Sequence, residues 1–379
     1  MKIPYHETYL TQYENRYIQQ AIESRQLSGD GVFTKECQAL IKAKTQTDLA
    51  LLTPSCTAAL ELAAILIDLQ HGDEVIIPSF TFTSTANAFA LRGAQLVFAE
   101  INPQTLNICA RSIEQLITNK TKAIIPVHYA GIACDMDEIV QIGKEHGIPI
   151  IEDAAQAYNS YYRDQHLGTF GAIGAISFHN TKNISAGEGG AILINDPNLQ
   201  DRAEIIREKG TNRKKFLLGQ VDKYTWCNIG TSCLPSEITA AFLKAQLEHA
   251  DSITEKRLRI WNKYHQNLET AELNGWLTRP YSPIEAKHNA HIYYILLRNK
   301  VTRDKCIHHL AQHNISAPFH YIPLHISEAA KKLEARYQNL PITEKISETI
   351  IRLPLWPHLP DETQDYVISI LLEFLRKNN

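Results

Sequence analysis

Several chemically capable side chains fall just past the ends of short apolar segments. Lys182 follows the run 173–178 across a polar turn, and a second apolar run, 191–194, comes back after the glycine-rich stretch 187–190. Glu152 and Asp153 close the run that starts at Ile148, and Phe82 follows 74–78. His128 ends 123–127, His179 sits three residues before the lysine, and Ser55-Cys56-Thr57 opens a segment rich in Ala and Leu. A lone lysine beyond a buried strand is a poor packing choice and a good one for holding a carbonyl compound as a Schiff base. Taken singly, each residue has a plainer reading. Lys182 would be a surface charge, Asp153 a helix N-cap, Phe82 a core ring, Ser55–Thr57 a helix start, and the two histidines structural imidazoles.

Together they match the needs of a pyridoxal phosphate site. Such a site needs a lysine for the carbonyl and a carboxylate for the pyridine nitrogen. It also needs a flat side chain over the ring, and helix amides with hydroxyls for the phosphate. Glu152 and Asp153 are adjacent at a strand end and must point to opposite faces, so only one can serve. In an open α/β sheet, ligands bind beyond the carboxyl ends of the strands, where all these residues fall.

Short apolar strands alternate with helices as far as Asp196. This predicts a largely parallel sheet with helices on both faces. Helices are expected at 9–22, 33–43, 83–91, 136–146 and 199–209. Another should open at Ser55, with Thr53 the alternative cap, and run to Gln70. Strands are expected at 74–77, 95–98, 123–127, 148–151, 173–178 and 191–194. Residues 236–264 predict one long helix or two stacked ones. A strand at 291–297, a helix at 303–313 and a terminal helix at 361–376 predict a smaller second α/β unit. The expected division is 1–250 and 251–379.

With 38 Lys and Arg against 41 Asp and Glu, the chain is near neutral, which argues against nucleic acid or an anionic membrane as a bulk partner. No run of about 18 apolar residues suggests a membrane span. The seven cysteines show no metal-type spacing, so no metal is expected; buried thiols in a reducing cytoplasm are.

The chain resembles the DegT/DnrJ/StrS family of sugar-nucleotide aminotransferases. The likeness rests on Thr53-Pro-Ser-Cys-Thr-Ala58 with the two residues after it, Glu152-Asp-Ala-Ala-Gln156, Ser177-Phe-His-Asn-Thr-Lys182, Gly187-Glu-Gly-Gly190 and His320-Tyr-Ile-Pro-Leu-His325. It extends to 72–82 and 126–131. The resemblance implies the fold of type I pyridoxal-phosphate transferases, like aspartate aminotransferase. It implies that Lys182 is the Schiff-base lysine and Asp153 the partner of the pyridine nitrogen. Phe82 would stack on the ring, Gln156 would touch the ring or its hydroxyl, and Cys56, Thr57 and Ser177 would hold the phosphate. Two stretches depart from the usual pattern. Ser55-Cys-Thr57 stands where many relatives have Ser-Gly-Thr, and Ser232-Cys-Leu234 where many have an Asn-Tyr-Arg that reaches the neighbouring subunit's phosphate; Ser232 takes that place here.

Residues 207–213 and 219–226 resemble the branch that makes dTDP-4-amino-4,6-dideoxygalactose from L-glutamate and a dTDP-linked 4-keto-6-deoxyhexose, for surface glycans such as enterobacterial common antigen. A cytoplasmic homodimer with shared sites is implied. Lys209, Arg213 and Lys223 are candidates for the substrate diphosphate, with a solvated basic loop the equal alternative. His320 and His325 are candidates for the sugar. Amination at C3, the gluco epimer at C4, a sugar dehydratase and a non-enzymatic cofactor-binding module are the competing readings. Dehydratases replace the lysine with histidine, so Lys182 speaks against that one.

Overall fold

In a computed structural model, residues 2–378 of the chain are described. Seven of the eight strands of the central sheet are β1 (Leu49–Thr53), β2 (Glu74–Pro78), β3 (Gln95–Ala99), β4 (Thr121–Ile124), β5 (Ile151–Asp153), β6 (Ile173–Ser177) and β7 (Gly190–Ile194). Their order is β1-β7-β6-β5-β4-β2-β3, with β4 and β5 joined by the parallel bridges Ile124–Ile150 and Val127–Asp153. Every strand runs parallel except β7, which is antiparallel to both β1 and β6. This is the mostly parallel α/β sheet that the alternation of strands and helices predicts. Side chains alternate between two buried faces. Ile76, Val97 and Ile124 enter one core, whereas Val75, Ile77, Leu96, Phe98 and Ala123 enter the other.

The helices covering the sheet start and stop for local reasons. Helix α1 is Glu14–Glu23, α2 Val32–Thr45, α3 Cys56–Leu66, α4 Thr83–Ala90, α5 Ala110–Leu116 and α6 Met136–His146. At the start of α3, Ser55 caps by accepting from the Ala58 amide at 3.1 Å. Helix α6 is capped by Asp135 and stopped by Gly147 in the left-handed region. Several expected bounds need correction, among them the strand at 123–127, which is Thr121–Ile124, and the helix at 199–209, which is Gln200–Arg207. Helix α1 begins at Glu14 and not Tyr9, because Gln12 takes φ 80° and Glu14 caps back onto Thr11. Helix α3 stops at Leu66, and Asp68 turns left-handed at φ 54°. Ladder pairing defines β5 as Ile151–Asp153, because Ile150 makes only an isolated bridge. Strand β1 and helix α5 are additional elements.

The region 236–264 is two helices, Glu237–Glu248 and Ala250–Asn267, breaking at His249. Beyond them, β8 (Tyr293–Leu296) pairs antiparallel with β10 (Ile350–Leu353). Helices Lys300–Gln312 and Asp361–Asn378 pack there around Tyr264, Tyr293, Leu310 and Leu371. The Ala250–Asn267 helix serves two cores, giving Ala250 and Ile253 to the first and Ile260, Trp261 and Tyr264 to the second. Strand β9 (Arg336–Tyr337) extends the central sheet beside β3. We propose the units 1–250 and 251–379, with that helix shared. No helix among the described residues is long and apolar enough to cross a membrane.

Candidate active site

The loop carrying Lys182 is a return between two antiparallel neighbours. Ser177 pairs with Gly190 at the top of β6 and β7. Above them, the Phe178 amide donates to the Gly189 carbonyl (2.8 Å), and the Asn180 amide to Gly187 (2.7 Å). Gly187 sits at φ 77°, in the region that favours glycine. Gly190 meets a different demand. A Cβ there would press into the Ser55 carbonyl and the Cys56 amide nitrogen, so only glycine lets β7 run under the start of α3. The residue after the lysine is pinned as well. Asn183 donates to the Asn289 carbonyl (2.8 Å) and faces His291 Nδ1 through its oxygen (3.0 Å).

The two adjacent acids separate cleanly. Glu152 is fully buried and accepts from the amides of Gly168 (2.8 Å), Phe170 (2.7 Å) and Gly171 (2.8 Å), and it pairs with His128 Nε2 at 2.9 Å. Its lone pairs are spent on the fold. Asp153 faces the other way, its carboxylate held among the described residues by the Thr85 hydroxyl (2.7 Å) and the Ala155 amide (3.1 Å). It caps no helix.

Around Asp153 the remaining groups converge. Lys182 is half-buried. Burial pushes the pKa of its ammonium below the ordinary lysine value; Cys56 and Asp153 oppose the shift, and Arg352 adds to it. Burial, reinforced by Asp153, pushes the Cys56 thiol well up and keeps it neutral. The amides of Cys56 and Thr57, at the start of α3, meet no acceptor among the described residues, since Ser55 takes only that of Ala58. The Thr57 hydroxyl donates to Ser84 at 2.8 Å, and the Ser177 hydroxyl accepts from the His179 amide at 3.3 Å. Phe82 is 58% exposed, which leaves a ring face open above the strand ends. Gln156 is buried, accepting from the Ala130 amide (2.7 Å) and donating to the Tyr321 hydroxyl (3.0 Å).

Tyr321 and Arg352 join this cluster and were missed in the sequence. The Tyr321 ring stacks on His320 at 3.6 Å and lies 6.5 Å from the Phe82 ring, and its backbone is strained at φ 44°. His320 also bonds the Tyr129 hydroxyl (2.8 Å). Burial, aided by Arg352 and Lys182, holds its pKa well below the usual imidazole value. His325 is engaged at both ring nitrogens, by Ser79 (2.7 Å) and Glu344 (3.2 Å). Tyr321 sits inside the motif 320–325, where the histidines drew attention. For Arg352 the signal was a charge within the apolar run 350–355.

The basic segment is arranged otherwise. Lys209 and Arg213 both turn to Glu208 (2.9 and 3.4 Å), and Lys215 pairs with Asp201 (2.7 Å). Lys223 is exposed, and Ser232 is exposed beside Glu208. Among the described residues, no hydrogen bond or ion pair joins these side chains to Lys182, Asp153 or Cys56. Arg207 is buried, spent on the Leu52 carbonyl and Asp30.

The geometry has counterparts among known proteins. The model of the DegT/DnrJ/EryC1/StrS aminotransferase family matches residues 8–372. The chain belongs to that family. GDP-perosamine synthase of Escherichia coli O157:H7 is 32% identical over 376 residues, covering 98% of each chain. The aminotransferase TlmJ from Streptoalloteichus hindustanus superposes with a TM-score of 0.91 at 27% identity, over 100% of both chains. The PLP-form of Spr1654 from Streptococcus pneumoniae gives 0.91 at 27% identity, covering 100% of this chain and 99% of that one. This member is therefore a sugar-nucleotide aminotransferase of the EC 2.6.1 class, and its cofactor is pyridoxal 5′-phosphate. The residues present fit that group: a lysine with depressed basicity, a buried carboxylate with capacity to spare, an open aromatic face and free helix amides.

Proposed function

We propose that this aminotransferase moves the amino group of L-glutamate onto C4 of a dTDP-linked 4-keto-6-deoxyglucose, giving dTDP-4-amino-4,6-dideoxygalactose and 2-oxoglutarate for a cell-surface glycan. The chemistry rests on one observation: Lys182 lies within electrostatic reach of Asp153 and of Cys56, the residue that opens α3 with a free amide. The sugar rests on the likeness of 207–213 and 219–226 to enzymes making that product.

When bound, pyridoxal phosphate supplies a protonated ring that stabilises negative charge on the carbon bonded to the migrating nitrogen. Asp153, steadied by Thr85 and Ala155, would hold the ring nitrogen. Phe82 would cover the ring and Gln156 would hold its edge. The amides of Cys56 and Thr57, with the hydroxyls of Thr57 and Ser177, would take the phosphate. Lys182 would hold the cofactor covalently, and its free amine would take the proton from Cα of glutamate and later return one to C4 of the sugar. Its lowered pKa favours the neutral amine that this step requires. His320 and His325 line the sugar side, His325 by fixing the turn that carries Tyr321. Lys209, Arg213, Lys223 and Ser232 act across the interface of a cytoplasmic homodimer.

The similarity to GDP-perosamine synthase favours one rival, a GDP-linked 4-keto sugar. Incubation with L-glutamate and each of dTDP-4-keto-6-deoxyglucose, its 3-keto isomer and the GDP-linked 4-keto sugar separates these readings. NMR should show galacto-configured amination at C4 of the dTDP substrate. Amination solely of either rival, or of none, overturns the proposal.

A further inference from the structure

Residues 3–9 run as a strap from the smaller unit to the larger. Ile3 exchanges backbone bonds with Asn314 and Ser316 (2.8 and 3.0 Å), and the Tyr5 carbonyl accepts from the Leu355 amide (3.3 Å). At the other end, the Tyr9 carbonyl accepts from the Gln246 side chain (2.8 Å). Side chains alternate along the strap, as they do in an extended chain. Tyr5 and Glu7 turn to Arg352 (3.2 Å) and His358 (3.0 Å) of the smaller unit. His6 and Thr8 turn the other way, and both reach Asn180. Nε2 of His6 lies 2.8 Å from the Asn180 carbonyl, and the Thr8 hydroxyl donates to Asn180 Oδ1 at 2.6 Å. A carbonyl only accepts, so Nε2 carries the proton. Burial, reinforced by Arg257, lowers the pKa of the ring to about 4, and the imidazole is neutral at pH 7.

Asn180 stands two positions before Lys182, at the exposed tip of the lysine loop. Among the described residues, every other hydrogen bond or ion pair of 179–181 stays within 177–188. On the far side of the lysine, Asn183 is fixed to Asn289 and His291, on the approach to β8. The lysine backbone therefore lies between two clamps, and both lead out of the central sheet. Hydrogen bonds at an exposed loop tip add little to global stability. Their convergence on one residue matters more for placement, since an amine that must reach a particular carbon is only as well aimed as its backbone. We propose that His6 and Thr8 are positioning residues for Lys182, holding the lysine loop at the height from which its amine meets the cofactor. This rests on the reading of Lys182 as the cofactor lysine.

The test uses the PLP-loaded protein and the variants His6→Ala, His6→Gln, Thr8→Val and Thr8→Ser. Glutamine returns an N–H near the place of Nε2, and serine keeps the hydroxyl. Three quantities are read: the pH midpoint of the absorbance of the lysine-bound cofactor, which needs no amino donor, then kcat and KM with L-glutamate, and Tm. His6→Ala and Thr8→Val should each lower kcat by about 3–10-fold, with KM within about 2-fold of the parent. Each should move the absorbance midpoint by roughly 0.5–1 pH unit, because a drifting lysine changes the geometry of its bond to the cofactor. His6→Gln and Thr8→Ser should recover most of both losses. Tm should fall by no more than about 4 °C. Thr8→Val keeps the side-chain volume, so it carries the test if His6→Ala fails to fold. A parental midpoint and kcat in the Ala and Val variants overturn the inference, as does a drop in Tm that neither midpoint nor kcat follows. Borohydride treatment of the parent separates the two readings. If it fixes no cofactor to Lys182, the site reading fails and the strap's role with it; if it does and the variants match the parent, the strap's role alone fails.

Discussion

Two regions of the molecule gather charge and do opposite things with it. At the edge formed by β2, β5 and β6, Lys182 and Asp153 keep bonding capacity in reserve, and Arg352 adds an unpaired cation. In the arm from Arg207 to Ser232, most cations are turned onto acids, Lys209 and Arg213 onto Glu208, Lys215 onto Asp201 and Arg207 onto Asp30. Count of charge does not separate the two; unspent hydrogen-bonding capacity near buried surface does. Exposed ion pairs of the arm type contribute little, whereas a half-buried group without a partner costs stability and persists where a ligand completes it.

The largest expected effect follows at the edge. Lys182→Ala should cut turnover by more than about 10⁴-fold. Borohydride treatment followed by mass spectrometry should leave the cofactor on the parent chain and not on the variant; retained turnover would dissolve the contrast between the regions. Next come the adjacent acids. Asp153→Asn should lower kcat by roughly 10²–10⁴-fold with little change in Tm. Glu152→Gln should cost about 2–5 kcal/mol of stability in urea unfolding, with kcat within roughly tenfold, because it weakens three amide contacts and the pair with His128. Interchanged outcomes would reverse the assignment.

Acid should weaken the packing behind the edge before it touches the arm. His166 accepts from the Asn159 amide through Nε2 (3.0 Å) and contacts the Leu167 carbonyl through Nδ1, and burial lowers its pKa to about 4. Between that value and the ordinary 6.5 the unfolded chain binds the extra proton. Stability is therefore complete above about pH 6.5 and falls toward pH 4, by roughly 2–4 kcal/mol from this group. Urea titrations at pH 7.5 and 5 should show the drop, and His166→Gln should shrink it. The smallest effect belongs to the arm. Lys209→Ala, Arg213→Ala and Lys223→Ala should each raise the KM for the sugar nucleotide by about 2–10-fold, more at low salt, with L-glutamate unaffected.

Much of the edge was legible because it is local. Strand periodicity located the ends, and the ends located Lys182, Asp153 and Phe82. Residue types alone leave Glu152 and Asp153 open and the family resemblance points to Asp153; the physical reason, the backbone amides of 168–171 that occupy Glu152, arises only through the fold. Helix α6 emerged with its expected bounds, since Asp135 and Gly147 mark both ends in the sequence. Helix α1 did not, because a positive φ at Gln12 leaves no local trace. Tyr321 and Arg352 were harder still. Arg352 lies 170 positions beyond Lys182 along the chain (352 − 182), and its isolation from any acid is a property of the folded molecule.

The contact of Gly190 with Ser55 and Cys56 carries a mechanical consequence. The strand that returns from the lysine loop and the first turn of α3 are wedged backbone to backbone, so neither can swing without the other. Amide exchange should report them opening as one cooperative unit. A cofactor gripped at its aldehyde end by the loop and at its phosphate by the helix would then ride on a single stiff mount, and the play that catalysis needs is left to the small side chains and the ligands themselves.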